Sequence, residues 1–306
     1  MTAVAVLGGT GFAGQSVCRE LRNAGFLVTS FSRSSGCDLL DLPKASECLQ
    51  ESAPDVIVNC AALIGSINYV GKAPAEVLDV NTRMILNVYR IALEIPGTII
   101  VNPVGNCGYP GNQDYLEEKR FWNGPVHPTV LGYGTTRRLM VTAATCYRNQ
   151  YGVQSINLIT PNMYGPGDSP DPNKTHALNA LVIKFVRAVR DELPAVEIWG
   201  SGRPVREWLY VEDFARLIRI AIEQGDAPTE PVNLAQNYSR TISDLAGIIQ
   251  RMTGYQGEIV YNTSYPDGAA RKVMSNTLFQ KRFPKFVFTP LESGILSTIE
   301  YYRGVL

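Results

Sequence analysis

Three glycines stand at equal spacing near the start of the chain, Gly8, Gly11 and Gly14, within Gly8-Gly9-Thr10-Gly11-Phe12-Ala13-Gly14. An apolar run, Ala3–Leu7, precedes them and a helical pattern over 12–24 follows. Such a turn permits positive φ, brings backbone close to a pyrophosphate, and aims the helix's first N–H groups and dipole at the phosphates. In this setting Gly8, Thr10, Gly11, Phe12 and Gly14 read as a dinucleotide cradle. A tight turn that merely packs is the alternative. The second apolar run ends in Ser30-Phe31-Ser32-Arg33-Ser34-Ser35. A carboxylate there would hold a ribose 2′-hydroxyl, whereas an arginine pairs with a 2′-phosphate. Arg33 and the missing carboxylate favour NADP(H) over NAD(H); a solvated strand-end charge is the other reading of Arg33. Asp38 belongs near the adenine or at a helix start. A second constellation is Tyr133 and Arg137, four apart on one face of a helical pattern. A phenol of pKa about 10 needs a nearby cation to exchange protons near neutrality.

These residues need a scaffold, and the apolar periodicity supplies one. Strand patterns fall at Ala3–Leu7, Leu27–Phe31, 55–60, 98–101 and 153–159. Helical patterns lie between them, at 12–24, 43–51, 75–94 and 135–150. Strand and helix in alternation predict a parallel sheet, so the fold class is α/β, a Rossmann-type doubly wound sheet. Pro43 suits a first helical turn. After Thr160, Pro161, Gly165, Pro166, Gly167, Pro170 and Pro172 make a loop, and the segments become shorter and mixed. A helix over Ala177–Arg190, a strand at 196–199, a helix from Asp213 and a capping box of Thr241 with Asp244 follow. The expected division is a dinucleotide-binding domain, 1–165 with 208–234, and a smaller mixed α/β substrate lobe, 166–207 with 235–306. A cleft between them is the natural ligand site.

Composition sets limits on partners. The chain has 306 residues, 45% of them hydrophobic and 18% charged, which suits a globular protein of about two domains. Lys plus Arg equals Asp plus Glu at 28 each, so the basic footprint of a nucleic-acid binder is missing. No apolar run reaches the about 18 residues of a membrane span, and the N-terminus carries no basic leader. The cysteines at 18, 37, 48, 60, 107 and 146 show no Cys-x-x-Cys pairing and point to a reducing cytoplasm. With only His127 and His176, no metal site is expected.

The motifs together resemble the extended short-chain dehydrogenase/reductases, most closely the GDP-L-fucose synthase family. The resemblance rests on the glycine turn, Asp38-Leu39-Leu40-Asp41, Asn59-Cys60-Ala61-Ala62, Asn81, Cys107-Gly108-Tyr109-Pro110 and Tyr133. It continues through Pro161-Asn162-Met163-Tyr164-Gly165-Pro166, His176, Trp199-Gly200-Ser201-Gly202, Arg206-Glu207-Trp208-Leu209 and Pro266-Asp267-Gly268 with Arg271-Lys272. It spans nearly the whole chain. It implies a 4-keto-6-deoxy sugar nucleotide that is epimerised at C3 and C5 and then reduced at C4 by NADPH. Cys107 and His176 fall on the family's base and acid positions. Ala61, Asn81, Tyr133 and Arg137 join the cofactor residues. Arg206 is expected at the diphosphate, with an ion pair to Glu207 or Glu212 as its alternative. Asn162, Trp199 and Lys272 are further substrate candidates, and residues 171–175 a candidate lid. The family forms homodimers through the helices read at 75–94 and 135–150.

Two positions depart from the pattern. Arg137 stands where the family has lysine, and the two cations are not interchangeable. Gly105 stands where the family's serine polarises the keto oxygen, with Asn106 next to it as a substitute donor. The replacements weigh against hydride transfer. They leave two alternatives: a keto-sugar epimerase without net reduction, or a catalytically silent nucleotide-sugar-binding protein.

Overall fold

The computed structural model covers the 306-residue chain and describes residues 1–171, 174–236, 238–265 and 267–306, apart from the side chain of Asn68. Pro172 and Asn173 of the candidate lid, and Pro266 of the Pro-Asp-Gly motif, lie outside the described residues.

The first half runs β1 (Ala3–Leu7), α1 (Phe12–Asn23), β2 (Leu27–Phe31), α2 (Leu42–Ser52), β3 (Val56–Asn59), α3 (Ile67–Lys72), α4 (Pro74–Leu93), β4 (Ile99–Gly105), β5 (Tyr115–Leu116), α5 (Leu131–Tyr151) and β6 (Gln154–Thr160). The second half runs β7 (Asn162–Tyr164), α6 (Ala177–Arg190), β8 (Ala195–Trp199), β9 (Val205–Tyr210), α7 (Val211–Gln224), β10 (Val232–Asn233), β11 (Ser239–Thr241), α8 (Ile242–Thr253), β12 (Glu258–Asn262), β13 (Arg271–Met274), α9 (Thr277–Arg282) and α10 (Leu291–Val305).

Six strands form one parallel sheet in the order β10-β6-β4-β3-β1-β2. All four residues of β3 are buried, as expected of a strand covered on both faces. One face packs Leu7, Ile57 and Ile100 against Leu49, Val88 and Met140 from α2, α4 and α5. The other packs Val6 and Val58 against Leu21, Phe214 and Ile218 from α1 and α7. A third core, around Val182, Ile249 and Ile295, joins α6, α8 and α10 beneath the smaller sheets. The doubly wound expectation holds. The chain returns to the large sheet through β10 after leaving it at Thr160, and α7 lies against α1.

Local signals were met where side chains cap or start helices. Asp41 caps α2 by accepting from Lys44 N, with Pro43 in the first turn. Thr241 and Asp244 form the reciprocal capping box of α8. The C-terminal ends of β1, β3, β4 and β6, at Leu7, Asn59, Gly105 and Thr160, fall on one edge of the sheet. Ligands of open α/β sheets bind at that edge.

Candidate active site

The glycine turn leaves β1 at this edge. Gly8 holds φ +70° and donates no Cβ to a space 2.9 Å from the Ala61 backbone, so Ala61 lies directly against the turn. A Cβ on Gly14 would sit 2.2 Å from the Gly8 carbonyl oxygen, so the first turn of α1 rests on the loop itself. Gly11 caps α1 without a side chain, which leaves the opening N–H groups of the helix to a ligand. The cradle therefore fits a dinucleotide pyrophosphate. Gly9 N–H donates to Phe31 O, tying the turn to the end of β2. Two residues on, exposed Arg33 opens a short turn that Ser32 and Ser35 cap reciprocally. No carboxylate side chain stands within that turn. Asp38 accepts from Leu40 N, so its carboxylate also shapes the start of the next segment.

Two of the expected residues lie one layer back from the cleft. Asn81 is fully buried; its amide donates to Leu63 O and Val77 O and accepts from Leu63 N. Both its hydrogens are used, and its bonds brace the loop after β3. Asn106 is buried with its amide toward Met274 Sδ, at 3.8 Å. It does not present a donor in the place of the missing serine, because the short helical turn 106–108 points it into the core.

Tyr133, Arg137, Cys107 and Gly105 do come together. A Cβ on Gly134 would lie 2.5 Å from the Cys107 carbonyl oxygen, so this glycine lets α5 press against the end of β4. Arg137 is buried, with its guanidinium 4.5 Å from the centroid of the Tyr133 ring. Its Nη2 reaches Asn81 Oδ1 and Thr136 Oγ1, both at 3.5 Å. Among the described residues its Nε has no partner. Burial pushes the Tyr133 phenol above its ordinary range, and Arg137 pulls it down. Burial likewise pushes the Cys107 thiol up, against the pull of Lys272 and then of Arg137. Gly105 has φ −62° and ψ 138°, a conformation open to any residue. A Cβ there would meet Cys107 Sγ at 3.3 Å, Tyr133 Cε1 at 3.5 Å and Arg137 Cδ at 3.7 Å. The position of Gly105 is thus lined by Cys107, Tyr133 and Arg137.

His176 caps α6 and sits across the glycine turn, its ring 5.1 Å from that of Phe12. Its Nδ1 lies 3.1 Å from Asp168 Oδ2. Asp168 has no signal in the sequence beyond its place in a Pro/Gly loop. Gln15 Nε2 fixes that loop by donating to Gly167 O at 2.7 Å.

The substrate candidates line the second lobe. Lys272 on β13 pairs in register with Arg206 on β9. Burial pushes both cations' pKa values down. Neither forms an ion pair among the described residues. Arg206 donates instead to Val205 O and Asp267 O. The alternative pairing of Arg206 is absent: Glu212 is bound to Arg19, and buried Glu207 accepts from the Gln236 and Met274 N–H groups. Two adjacent half-buried cations, with Asp267 acting on Arg206 as counter-charge and no ion pair among the described residues, suit a polyanion. His127, to which the sequence assigned nothing, lies in their field, which together with burial lowers its pKa. Asn162 Nδ2 reaches Glu207 O at 3.5 Å. Trp199 already carries Tyr265 stacked at 4.4 Å and Lys184 Nζ at 4.6 Å, and donates to Glu197.

Residues 4–235 match the model of the NAD dependent epimerase/dehydratase family. The chain belongs to that family. A GDP-L-fucose synthase from Sinorhizobium fredii is 30% identical over 97% of this chain and 94% of its own length. A probable GDP-L-fucose synthase 1 from Oryza sativa is 29% identical over 98% and 91%. A solved gdp-l-fucose synthetase from Naegleria fowleri, bound to NADP, has the same fold, with TM-score 0.84 and 22% identity over 98% of this chain and 92% of that one. The chain is an enzyme of the SDR-type epimerase/reductase kind. No helix among the described residues is long and apolar enough to cross a membrane.

Proposed function

We propose that the chain is a GDP-sugar 3,5-epimerase and 4-reductase that uses NADP(H) in preference to NAD(H). The observation that carries it is half-buried Tyr133 on buried Arg137, packed with Cys107 beside a dinucleotide cradle. Arg33 and its serine turn support the 2′-phosphate reading. Lys272 and Arg206 would hold the diphosphate, with Asn162 and Trp199 bordering the sugar nucleotide. The two lobes divide as 1–165 with 208–234 and 166–207 with 235–306. Six free thiols suit a reducing cytoplasm.

Inversion beside a ketone removes a proton from one face and returns one to the other. Cys107 and His176 supply the two titratable groups. Tyr133 then protonates the C4 oxygen, with Arg137 stabilising its phenolate. Bound NADPH supplies the hydride for that step. A silent binding protein has no use for this cation–phenol–thiol cluster. Gly105 specifically favours a second reading, epimerisation with little net reduction, because no side chain donates toward the C4 oxygen there. Incubation with a GDP-4-keto-6-deoxy sugar in D₂O, with NADPH absorbance followed, separates them. Deuterium at C3 and C5 with falling absorbance is expected. Deuterium with flat absorbance leaves the epimerase alone, and no deuterium in any 4-keto substrate overturns the Cys107–His176 reading.

A further inference from the structure

We propose that Asp168 is a positioning residue that fixes the tautomer of His176, placing hydrogen on Nδ1 and leaving Nε2 as the nitrogen that exchanges a proton with the sugar ring. The inference rests on the role given to His176 above and adds the group through which it acts. The Asp168 carboxylate is 4% exposed. Its Oδ2 accepts from Thr175 Oγ1 at 3.1 Å, His176 N at 2.8 Å and Asn179 Nδ2 at 3.0 Å, and lies 3.1 Å from His176 Nδ1. Its Oδ1 accepts from Ser169 N. These donors hold the carboxylate in its charged form, with its pKa below the ordinary range despite burial. An ionised carboxylate only accepts, so Nδ1 must carry the hydrogen. The Asp168 carbonyl is itself anchored by Tyr302 OH, so the carboxylate cannot drift. Cys107 takes the ring proton as the C–H bond breaks and its electron pair moves to the C4 oxygen; as that pair returns to the carbon, the imidazolium of His176 gives it the Nε2 proton from the other face. The imidazolium is paired with Asp168 before the transfer; the neutral ring left behind keeps its hydrogen on Nδ1, and Nε2 takes its next proton from solvent.

The chain's two histidines make this directly visible. His127 Nδ1 accepts the Thr129 N–H, so its neutral form carries hydrogen on Nε2, the opposite tautomer. Nitrogen-15 histidine labelling at about pH 8, above the ordinary imidazole range, should show one signal of each kind. Two Nε2–H signals in the wild-type protein overturn the proposal, and this test needs no variant to fold. In Asp168→Asn the His176 signal should move toward Nε2–H. Deuterium exchange into the 4-keto sugar should fall about 100-fold, the lower range of what a positioned general acid supplies. KM and NADPH binding should hold within about threefold of wild type, because neither touches Nδ1. Wild-type exchange in Asp168→Asn refutes the positioning role while leaving His176 as a proton carrier. A wild-type enzyme that exchanges nothing refutes the function above, whatever the tautomer.

Discussion

Gly105 is the residue on which the balance between epimerisation and reduction turns. Its extended backbone accepts any side chain, and the would-be Cβ meets its neighbours at ordinary or slightly tight distances. Gly105→Ser should therefore fold and add a hydroxyl donor where the C4 oxygen develops charge. Losing one such donor costs about 10²–10³ in rate, so the variant should raise NADPH consumption at least about tenfold, with deuterium exchange unchanged. An unchanged or slower reduction would mean that Arg137 leaves no demand for the hydroxyl. Cys107 sets a pH dependence. Burial raises its pKa, so less thiolate exists at neutrality and exchange should climb with pH through and beyond about 8.5, the ordinary thiol value. Lys272 is the strongest opposing pull, so Lys272→Met should move that limb to higher pH and lower kcat for exchange near pH 7.5 by about tenfold. A flat profile from pH 7 to 9 would remove the thiol from the rate-determining step. Tyr133 and Arg137 were legible because four-residue spacing on a helix guarantees one face. Asp168 was not, because its bond to His176 is made by a folded loop and leaves no periodic trace.

The elements show the same division between local and long-range information. β1 and α1 follow directly from an apolar run and a glycine turn, because a parallel strand buried on both faces is continuous in apolar residues; β2, at the sheet edge and half-exposed, follows from its place after α1. β9, β11 and β13 escape this reading: Arg206, Arg240 and Lys272 interrupt them, and only their mutual pairing makes them strands. Tertiary contact, not propensity, decides such segments. The turn itself yields a sharp test. A Cβ at Gly14 would meet the Gly8 carbonyl oxygen at 2.2 Å and Gly9 Cα at 2.8 Å, both backbone atoms that cannot step aside. Gly14→Ala should destabilise the protein by about 1–3 kcal/mol and weaken NADPH binding at least about tenfold. Gly247→Ala, inside α8 with its nearest contact at 3.7 Å, should instead leave the melting temperature unchanged or raise it. Equal melting temperatures for the two variants would show that the close approach is not rigid.

At the scale of the whole molecule the outstanding feature is the outer side of α4 and α5. These helices pack on one another, and Gly132 brings the start of α5 against Pro74 at the start of α4. At that end Leu78 is 40% and Leu131 56% exposed; at the other end Leu93 is 40% and Tyr151 53% exposed. Four large apolar side chains on two adjacent helices, each open to water, form the kind of surface that a second copy covers. We propose pairing through these helices, which would place the two active sites on either side of a shared four-helix seam and stiffen the α5 turn that carries Tyr133. Light scattering should give twice the chain mass of 33.6 kDa. Leu78→Glu combined with Leu131→Glu should yield monomers. Both residues are exposed in the single chain, so the monomers should keep their fold. If α5 depends on the seam, reduction should fall more than NADPH binding does. A wild-type protein of single-chain mass at micromolar concentration would refute the pairing, and a dimer that survives both substitutions would place its interface elsewhere.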